Sequence, residues 1–535
     1  MKKFFAVFIV LMLATPVFAL YSTETAQSVS TSNAPALTTA SVTPSGYGDG
    51  VDTTPTSSSL TINLAAYAFD FDAAISPAEN LPGYPFWGRN YETGAGASAL
   101  TFIEGFDNDN YWVALYQLST TRGVVILKSH YGTTLTAKEF EIQTNQVFIL
   151  EGAKKYDADE FFVFGQVGGT ENFAIMFSWD GSSLTVSAAE KFITGSGIPN
   201  EHPNDALVIP GPTDDVIVFA TALGGYTNWE TPAAIITGKN LIPTDSRVDW
   251  LHQNAIDVES VFIEGVYTSP NTQIFITARS VGLVYVWSNQ ISDATGLFSA
   301  ADVFRNTVPL PSGMTSCRNI NDLIVDNINN FVTVAEVELS GTFYGWMFSI
   351  DNSGSLVYSL LFPQNYFPED LNFLGSDLIV GVDAPNAAAL YSVDTAGTTN
   401  FRKETSTGTA LGNVQVVQEV FDPVNLNQEV AFGGTYSPGG SKESFGIFDV
   451  ASATFMTLVT TDYPSLANEP HNVKGILYSS ADDAMIRFSN NGLGNQNYDG
   501  PSSSISMIPE FSLATLLLAV LLAGSLVVFV VRRRK

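Results

Sequence analysis

Three of the four histidines occupy the same place in a recurring pattern, just before a short apolar segment. They stand in His202-Pro203-Asn204, His252-Gln253-Asn254 and His471-Asn472, and Arg318-Asn319 takes the same place in another copy. Neutral imidazoles bind metals and hydrogen-bond to polar ligands near neutral pH. One interpretation is a ligand or metal site built from His202, His252, Arg318 and His471. The alternative is that the asparagines form turns that open each strand and the histidines are incidental.

Acidic turns form a second recurring set. Asp107 and Asp109 stand in Asp-Asn-Asp-Asn, Asp326 begins Asp-Asn-Ile-Asn, and further acidic turns lie at 157–160 and 214–215. Oxygen ligands at alternate positions suit Ca²⁺. Asp and Asn are also the ordinary residues of tight turns. The pattern is therefore compatible with calcium sites at Asp107, Asp109 and Asp326, or with turns that bind no metal.

Local catalytic motifs are missing from the sequence. It contains no Walker loop, Gly-x-Ser-x-Gly elbow, His-Glu-x-x-His or Cys-x-x-Cys. The single cysteine, Cys317, has no histidine paired with it by any sequence feature. Carboxylate pairs that cleave glycosides come from distant segments and leave no local spacing. We therefore expect binding rather than catalysis, with a carbohydrate-active hydrolase or lyase as the alternative.

The elements that must position these residues are short strands. Residues 319–362 contain four runs rich in β-branched and aromatic residues, each ended by turn residues. The third run ends Met347-Phe348-Ser349-Ile350-Asp351, and similar runs end at Asp180, Asp394 and Asp449. The second run, 331–337, is matched at 111–117, 161–167, 216–221, 274–279, 378–382 and 429–433. A four-stranded unit repeated at intervals of roughly 50 residues predicts a β-propeller.

The last unit is split between the two ends of the body. Residues 471–488 supply only two strands, and 67–72 fits the motif of the third strand. An N-terminal strand that completes the last blade would remove the free edges of the ring. We therefore predict an all-β propeller of eight four-stranded blades over residues 59–490, with seven blades as the alternative. In such a ring, the histidine-bearing loops lie at one mouth of the central channel.

Both ends of the chain carry membrane-targeting features. Lys2 and Lys3, an apolar run and Ala19 predict a signal peptide over 1–19. Residues 511–531 are uncharged, and the chain then ends Arg532-Arg533-Arg534-Lys535. Such a run is long enough for a transmembrane helix, and the basic end favours the cytoplasmic side. The body is therefore expected outside the cell, anchored at the cell surface through 511–531.

The residues before this span carry a sorting motif. Pro509-Glu510-Phe511, the apolar span and the basic end resemble the PEF-CTERM sorting signal of archaea, and are similar to the bacterial PEP-CTERM signal. The resemblance implies processing by an archaeosortase or exosortase, and leans toward an archaeal source. The alternative is a plain anchor in which Pro509 ends the helix. The body resembles extracellular propellers of repeat type.

Composition completes these expectations. Residues 20–58 are rich in Ser and Thr and predict a flexible linker, 491–507 predict a stalk, and 508–535 form the anchor. The chain has 53 acidic and 23 basic residues, a net charge of −30, which argues against nucleic acid as a partner. We expect a surface-displayed propeller for binding or adhesion, whose ligand is an extracellular glycan or protein. A structural envelope component is a further alternative.

Overall fold

The runs of β-branched and aromatic residues form strands in the computed structural model. The structure describes residues 21–25, 27–28, 36–37, 43–44, 51–67, 87–92, 98–106, 111–129, 135–143, 146–195, 200–226, 229–248, 258–268, 270–280, 282–299, 302–385, 387–405, 414–422, 427–435, 443–459, 473–479, 484–489 and 492–497.

The first described part of the chain consists of short strands. They are β1 (Tyr21–Thr25), β2 (Gln27–Ser28), β3 (Ala36–Leu37), β4 (Thr43–Pro44), β5 (Val51–Thr53), β6 (Thr56–Ser59), β7 (Ile62–Ala66) and β8 (Trp87–Glu92).

Seven groups of four strands follow. They are β9 (Ser98–Phe106), β10 (Tyr111–Ser119), β11 (Arg122–Ser129), β12 (Leu135–Ile142); β13 (Phe148–Asp157), β14 (Glu160–Val167), β15 (Glu171–Trp179), β16 (Leu184–Ile193); β17 (Glu201–Ile209), β18 (Val216–Tyr226), β19 (Trp229–Thr237), β20 (Pro243–Val248); β21 (Val258–Thr268), β22 (Asn271–Ser280), β23 (Leu283–Ser292), β24 (Phe304–Val308); β25 (Ser316–Val325), β26 (Phe331–Leu339), β27 (Thr342–Ile350), β28 (Leu356–Gln364); β29 (Phe367–Leu374), β30 (Asp377–Ala384), β31 (Ala387–Val393), β32 (Thr399–Glu404); and β33 (Val416–Asp422), β34 (Asn427–Thr435), β35 (Glu443–Asp449), β36 (Thr454–Val459). The last strands are β37 (Val473–Ser479), β38 (Ala484–Ser489) and β39 (Gly492–Asn497).

These strands form antiparallel sheets arranged as a β-propeller. Within the described residues there are eight sheets, and each of the seven groups of four is a meander in one of them. The first strands of the groups contact one another in a closed cycle, from β9 through β13, β17, β21, β25, β29, β33 and β37 back to β9. Sheets whose inner strands meet in a ring around a central channel are the defining feature of a propeller. The predicted repeat and the predicted propeller fold are therefore confirmed.

The core lies between successive sheets. Each large apolar cluster combines side chains of two neighbouring sheets, such as the cluster that joins β10–β12 to β13–β15. Aromatic rings stack across these junctions: Phe140 lies 5.9 Å from Phe148, and Phe275 lies 4.2 Å from Phe331, between ring centroids. Such pairs add to the energy of apolar burial. The aromatic richness of the sequence therefore serves blade-to-blade packing.

The aspartate that ends the repeated third-strand motif forms the next turn. The Oδ1 of Asp351 accepts hydrogen bonds from the backbone amides of Ser353 and Ser355, both at 2.9 Å. The same arrangement recurs at Asp180, Asp394 and Asp449. Aspartate side chains that bond the amides two to four residues ahead are common turn formers. The aspartate at the end of the third-strand motif therefore stabilises the turn that follows it.

The N-terminal segment forms an outer strand on seven of the sheets. We call the seven strands β1–β7 the strap. Its strands pair antiparallel with the last strands of the groups in reverse order: β1 with β36, β2 with β32, β3 with β28, β4 with β24, β5 with β20, β6 with β16 and β7 with β12. Composition predicts a flexible linker over 20–58, and the structure differs. Backbone hydrogen bonds hold the strap strands on the sheets, and such bonds form without an apolar period in the sequence. For this reason β6 pairs with its sheet although its four side chains are exposed.

The last sheet, which combines strands from both ends of the body, is completed by different residues from those predicted. It has the order β37-β38-β39-β8, so an N-terminal strand does complete it. That strand is Trp87–Glu92, whereas Tyr67 continues the strap and donates its amide to Ala137 at 3.0 Å. The third strand, Gly492–Asn497, comes from the segment expected to be a stalk. The assignment of 67–72 as the third strand of this sheet is therefore wrong, and the remainder of that segment lies outside the described residues.

The expected membrane segments also lie outside the described residues. This applies to the signal peptide 1–19 and to the anchor 508–535 with Pro509, Glu510 and Phe511. In the part of the chain that the structure describes, no helix is long and apolar enough to cross a membrane.

Candidate functional site

Charged side chains of five consecutive sheets gather at the central channel. Lys154 on β13, Asp205 on β17, Glu264 on β21, Asp322 on β25 and Asp370 on β29 all belong to inner strands. The Nζ of Lys154 lies 3.0 Å from Oδ1 of Asp205, and 42% of the lysine side chain is exposed. Lys154 also interacts electrostatically with Glu264 and Asp322. We call these five residues the channel cluster.

The aspartates of the channel cluster are placed by irregularities in the inner strands. The register in which β25 pairs with β26 shifts between Ile320 and Asp322, as at a β-bulge. A bulge re-aims a side chain, and this one brings the carboxylate to the seam between two blades. Oδ1 of Asp322 accepts the amide of Leu323 at 2.8 Å, and Oδ2 accepts the amide of Leu371 on the next inner strand at 2.9 Å. The same seam contact joins Asp205 to Ile263 at 3.1 Å and Asp370 to Val417 at 2.7 Å.

Burial changes the acidity of the channel cluster. It raises the pKa of Glu264 to about 7, with nearby Lys154 opposing the shift. It also raises the pKa of Asp322 to about 6. The pKa of Asp370 is well above its usual range, first because of burial and then because of the neighbouring charge of Asp322. The carboxylate of Asp205 raises the pKa of Lys154 against the effect of burial. Lys154 therefore stays charged at neutral pH, whereas Glu264 and Asp322 change charge between about pH 6 and pH 7.

This arrangement has two chemical uses. The cluster contains four carboxyl groups and one amine, so the channel favours a ligand that brings positive charge. The carboxyl groups also differ in environment, and Glu264 has a pKa suited to proton transfer near pH 7. Cation recognition and acid–base catalysis therefore both depend on the same side chains.

A second group of acidic residues lies at the turn between β13 and β14, the first and second strands of their sheet. Ligand oxygens of Asp157, Asp159 and Glu160 all lie within 4.8 Å of one another. We call these residues the rim cluster. Glu160 is only 5% exposed, and its Oε2 lies 2.5 Å from the Nζ of Lys239 on the next sheet. Carboxylates at such separations can hold a hard cation such as Ca²⁺, but here Lys239 supplies the positive charge.

A cleft adjoins the rim cluster. It has a volume of about 530 Å³ and is lined by turns of neighbouring sheets, including Asp214, Asp215, Lys239 and Thr295. Burial, followed by the charges of Asp157 and Asp214, raises the pKa of Asp215. The hydroxyl of Tyr156 donates to the backbone oxygen of Asp215 at 2.7 Å and joins the two turns. The charged residues of the cleft are therefore two carboxyl groups, Asp214 and Asp215, and one amine, Lys239, in a lining that also includes apolar side chains.

The sequence-based calcium residue Asp326 is engaged in its own turn. Its Oδ1 accepts the amides of Ile328 at 2.9 Å and Asn330 at 2.8 Å, and its Oδ2 accepts the side-chain amide of Asn330 at 3.1 Å. This geometry favours the turn interpretation of Asp326, because its oxygens already have donors. Asp107 and Asp109 lie outside the described residues.

The four residues expected at the channel mouth are placed only in part. His202 lies within β17, three positions before Asp205, and burial lowers its pKa. Arg318 is held in its own sheet: its Nη1 lies 3.2 Å from Oε2 of Glu336, and its guanidinium lies 4.5 Å from the ring centroid of Phe343. His252 and His471 lie outside the described residues. Arg318 is therefore paired within its own blade, although 55% of its side chain is exposed.

The channel cluster is not apparent from sequence motifs. Its members are single residues in different copies of the repeat, with no local pattern among Lys154, Glu264 and the aspartates. One signal could have found three of them. Asp205, Asp322 and Asp370 each stand in the first strand of their sheet, and Asp205 and Asp322 come three and four residues after His202 and Arg318. Superposing the copies of the repeat would have aligned these aspartates.

Comparison with other proteins adds resemblance in fold. No family model matches the chain, and no curated protein matches it. Solved structures that resemble it include the Dos1 propeller, with 8% identity, a TM-score of 0.48, and coverage of 77% of this chain and 95% of the other. The Nup133 β-propeller domain of Vanderwaltozyma polyspora has 9% identity, a TM-score of 0.39, and coverage of 75% and 98%. Drosophila Semaphorin 2a has 7% identity, a TM-score of 0.38, and coverage of 76% and 74%.

Proposed function

We propose that this protein is an eight-bladed binding propeller displayed on the outside of the cell, with its ligand bound at the channel cluster. The observation that carries the proposal is the convergence of Lys154, Asp205, Glu264, Asp322 and Asp370 from five successive inner strands. The blade number rests on the eight sheets of the described residues and on the closed cycle of their inner strands.

The charge of the channel cluster indicates the class of ligand. Its carboxylates favour an amine or guanidinium group, as on a basic protein segment or an amino sugar. Lys154 adds a donor for a hydroxyl or carboxylate of the same ligand. The ligand is therefore an extracellular glycan or protein that presents positive charge, in keeping with the strongly acidic chain.

The surface location rests on the two ends of the sequence. The signal peptide 1–19, the span 511–531 and the motif Pro509-Glu510-Phe511 support export followed by anchoring or by sortase-type processing. The strand Gly492–Asn497 ends 13 residues before the span, which would tether the propeller to the membrane until any processing occurs.

A binding screen with the full chain tests the proposal. Glycan and basic-peptide arrays should give a ligand whose binding is lost in a double variant, Glu264→Gln with Asp322→Asn. Asp159→Asn is the matched control, because it removes one carboxylate from the rim cluster and leaves the channel intact. Equal loss in the control and the channel variant, or binding that ignores both, would contradict a channel site.

An extracellular hydrolase or lyase is the second candidate. The specific observation in its favour is Glu264, whose pKa of about 7 suits a general acid or base. Incubation with mixed polysaccharides, followed by chromatography of the products, separates the candidates. Product release that disappears in Glu264→Gln supports the enzyme, whereas binding without turnover supports the binding propeller.

A further inference from the structure

The strap contacts nearly the whole ring although it is a single short segment. Its first strand pairs Tyr21 with Leu458, and its last pairs Ala66 with Lys138. The separations along the chain are therefore 458 − 21 = 437 residues at one end and 138 − 66 = 72 at the other. Between these ends the strap pairs with five further sheets in order. Two neighbouring sheets under the strap can separate only if the strap detaches from at least one of them.

Side chains fix the strap in register at one sheet. The buried guanidinium of Arg247, 2% exposed, donates from Nε to Oδ1 of Asp52 in the strap at 2.8 Å. Its other nitrogens bond to Asn289 at 2.6 Å and to the backbone oxygen of Ser299 at 2.9 Å. A buried arginine requires charge partners, and Asp52 supplies one of them from the strap.

Close backbone contact fixes the strap beside this ion pair. Gly195 has φ of 77°, and a Cβ at this position would collide with the backbone oxygen of Thr54. The hydroxyls of Thr53 and Ser246 lie 2.7 Å apart. The side chains of Asp52 and Thr53 therefore fix the register of β5 on β20, in addition to the backbone pairing of the two strands.

We propose that the strap is a kinetic restraint that keeps the propeller ring closed, in place of disulfide bonds. The chain has one cysteine and so forms no internal disulfide, although it carries a predicted export signal. Cleavage after Ala19 leaves a single residue before β1, so the processed N-terminus begins with the strap. The strap pairs with the outer edges of sheets that would otherwise be open, and its pairs join residues from 72 to 437 positions apart, which form late in folding. It therefore slows unfolding of the ring more than it speeds its folding.

A cleavable full-length chain tests this proposal. A recognition sequence for a site-specific protease is inserted between β7 and β8, and the folded chain is cut there. We expect the strap to remain bound during gel filtration under native conditions. We also expect the cut chain to unfold in denaturant about tenfold faster or more than the uncut chain with the same insertion. A strap that elutes as free peptide, or unchanged unfolding kinetics after cutting, would overturn the proposal.

Point variants check the restraint without cutting. Asp52→Ala removes the strap partner of Arg247, which keeps the carboxylate of Asp302 at 3.6 Å, and should raise both the unfolding rate and the rate of digestion by a non-specific protease. Ser57→Ala, at an exposed position of β6, is the control and should leave both rates unchanged. Identical behaviour of the two variants would show that the Asp52–Arg247 contact does not hold the strap.

Discussion

The carboxylate of Asp322 accepts the backbone amide of Leu371 at 2.9 Å, and this contact helps to join two blades at the channel. The same carboxylate has its pKa raised to about 6 by burial and interacts with Lys154 and Asp370. The residue that seals a blade junction is therefore also part of the proposed ligand site. The side chain of Asp322 therefore serves both the blade junction and the proposed ligand site, and substitutions of Asp322 can separate the two roles.

Replacing Asp322 should distinguish its bond to Leu371 from its charge. Asp322→Ala leaves the amide of Leu371 without its acceptor and should lower the free energy of unfolding by about 1–3 kcal/mol. Asp322→Asn keeps an acceptor and should cost clearly less. Equilibrium unfolding in urea measures both. Equal losses in the two variants would show that charge, and not the seam hydrogen bond, determines the effect.

Because the channel acids have raised pKa values, we expect the free energy of unfolding to fall as the pH rises toward neutrality. The pKa of Glu264 is raised to about 7 and that of Asp322 to about 6, so between about pH 4.5 and 7 the folded state binds more protons than the unfolded state. Unfolding in this range releases protons and becomes easier at higher pH. His202, whose pKa burial lowers, acts in the opposite direction around and below its usual pKa.

Glu264→Gln isolates the contribution of the channel to this pH dependence. The melting temperature of the variant should decline less from pH 5 to pH 8 than that of the unmodified chain, because one titrating group is gone. Parallel pH profiles for the two proteins would contradict the raised pKa of Glu264.

Binding of a cationic ligand should strengthen over the same pH range. As Glu264 and Asp322 ionise, the channel gains negative charge, so the dissociation constant should decrease from pH 5 to pH 8. Calorimetry in buffers of different ionisation enthalpy would show proton release on binding. Proton uptake, or affinity that falls with pH, would argue against the channel carboxylates as ligands of the cation.

Cys317 should be unreactive in the folded protein. It is 1% exposed, and burial raises its pKa to about 12, so the nucleophilic thiolate is scarce at neutral pH. A thiol reagent at pH 8 should label it only after denaturation. Rapid labelling of the native chain would contradict this burial and would revive a catalytic role for the thiol.

Lys239 should determine how the rim cluster responds to calcium. Lys239→Gln leaves the nearly buried Glu160 without its charge partner, so the melting temperature in EDTA should fall. Millimolar Ca²⁺ should restore part of that loss by binding the released carboxylates. Asp326→Asn is the control, because the oxygens of Asp326 already accept donors in its turn, and its calcium response should match that of the unmodified chain. A variant of Lys239 that ignores calcium would exclude the rim cluster as a cation site.

Two glycine substitutions should separate backbone strain from contact with the strap. Gly168 and Gly195 both have positive φ, 63° and 77°, so alanine strains the backbone at either position. At Gly168 a Cβ meets nothing within 4 Å, whereas at Gly195 it meets Thr54, between the strap strands β5 and β6. Gly168→Ala should cost about 1–2 kcal/mol, and Gly195→Ala should cost more and accelerate unfolding. Equal losses would indicate that the strap yields freely at this contact.

Much of the blade architecture could be predicted from the sequence because it is local. The strands follow runs of β-branched and aromatic residues, and each group of four lies within about 50 neighbouring residues. The turn after the third strand is encoded even more locally, since Asp351 bonds amides two and four residues ahead. The turn at Asp326 is local too, although residue type alone could not separate it from a calcium loop.

The strap and the channel cluster were decided only by the tertiary structure. The strap is held mainly by backbone hydrogen bonds, which do not depend on side-chain type, so a Ser/Thr-rich segment gives no sign of pairing with strands up to 437 residues away. Lys154 interacts with Glu264 and Asp322 because ring closure brings separate repeats together, and no short spacing in the sequence records that interaction. The sequence by itself thus determined the repeated β unit, its turns and its acidic charge. Only the closed ring determined which sheet edges the strap covers and which charged side chains lie near one another, because both depend on distances through space and not along the chain.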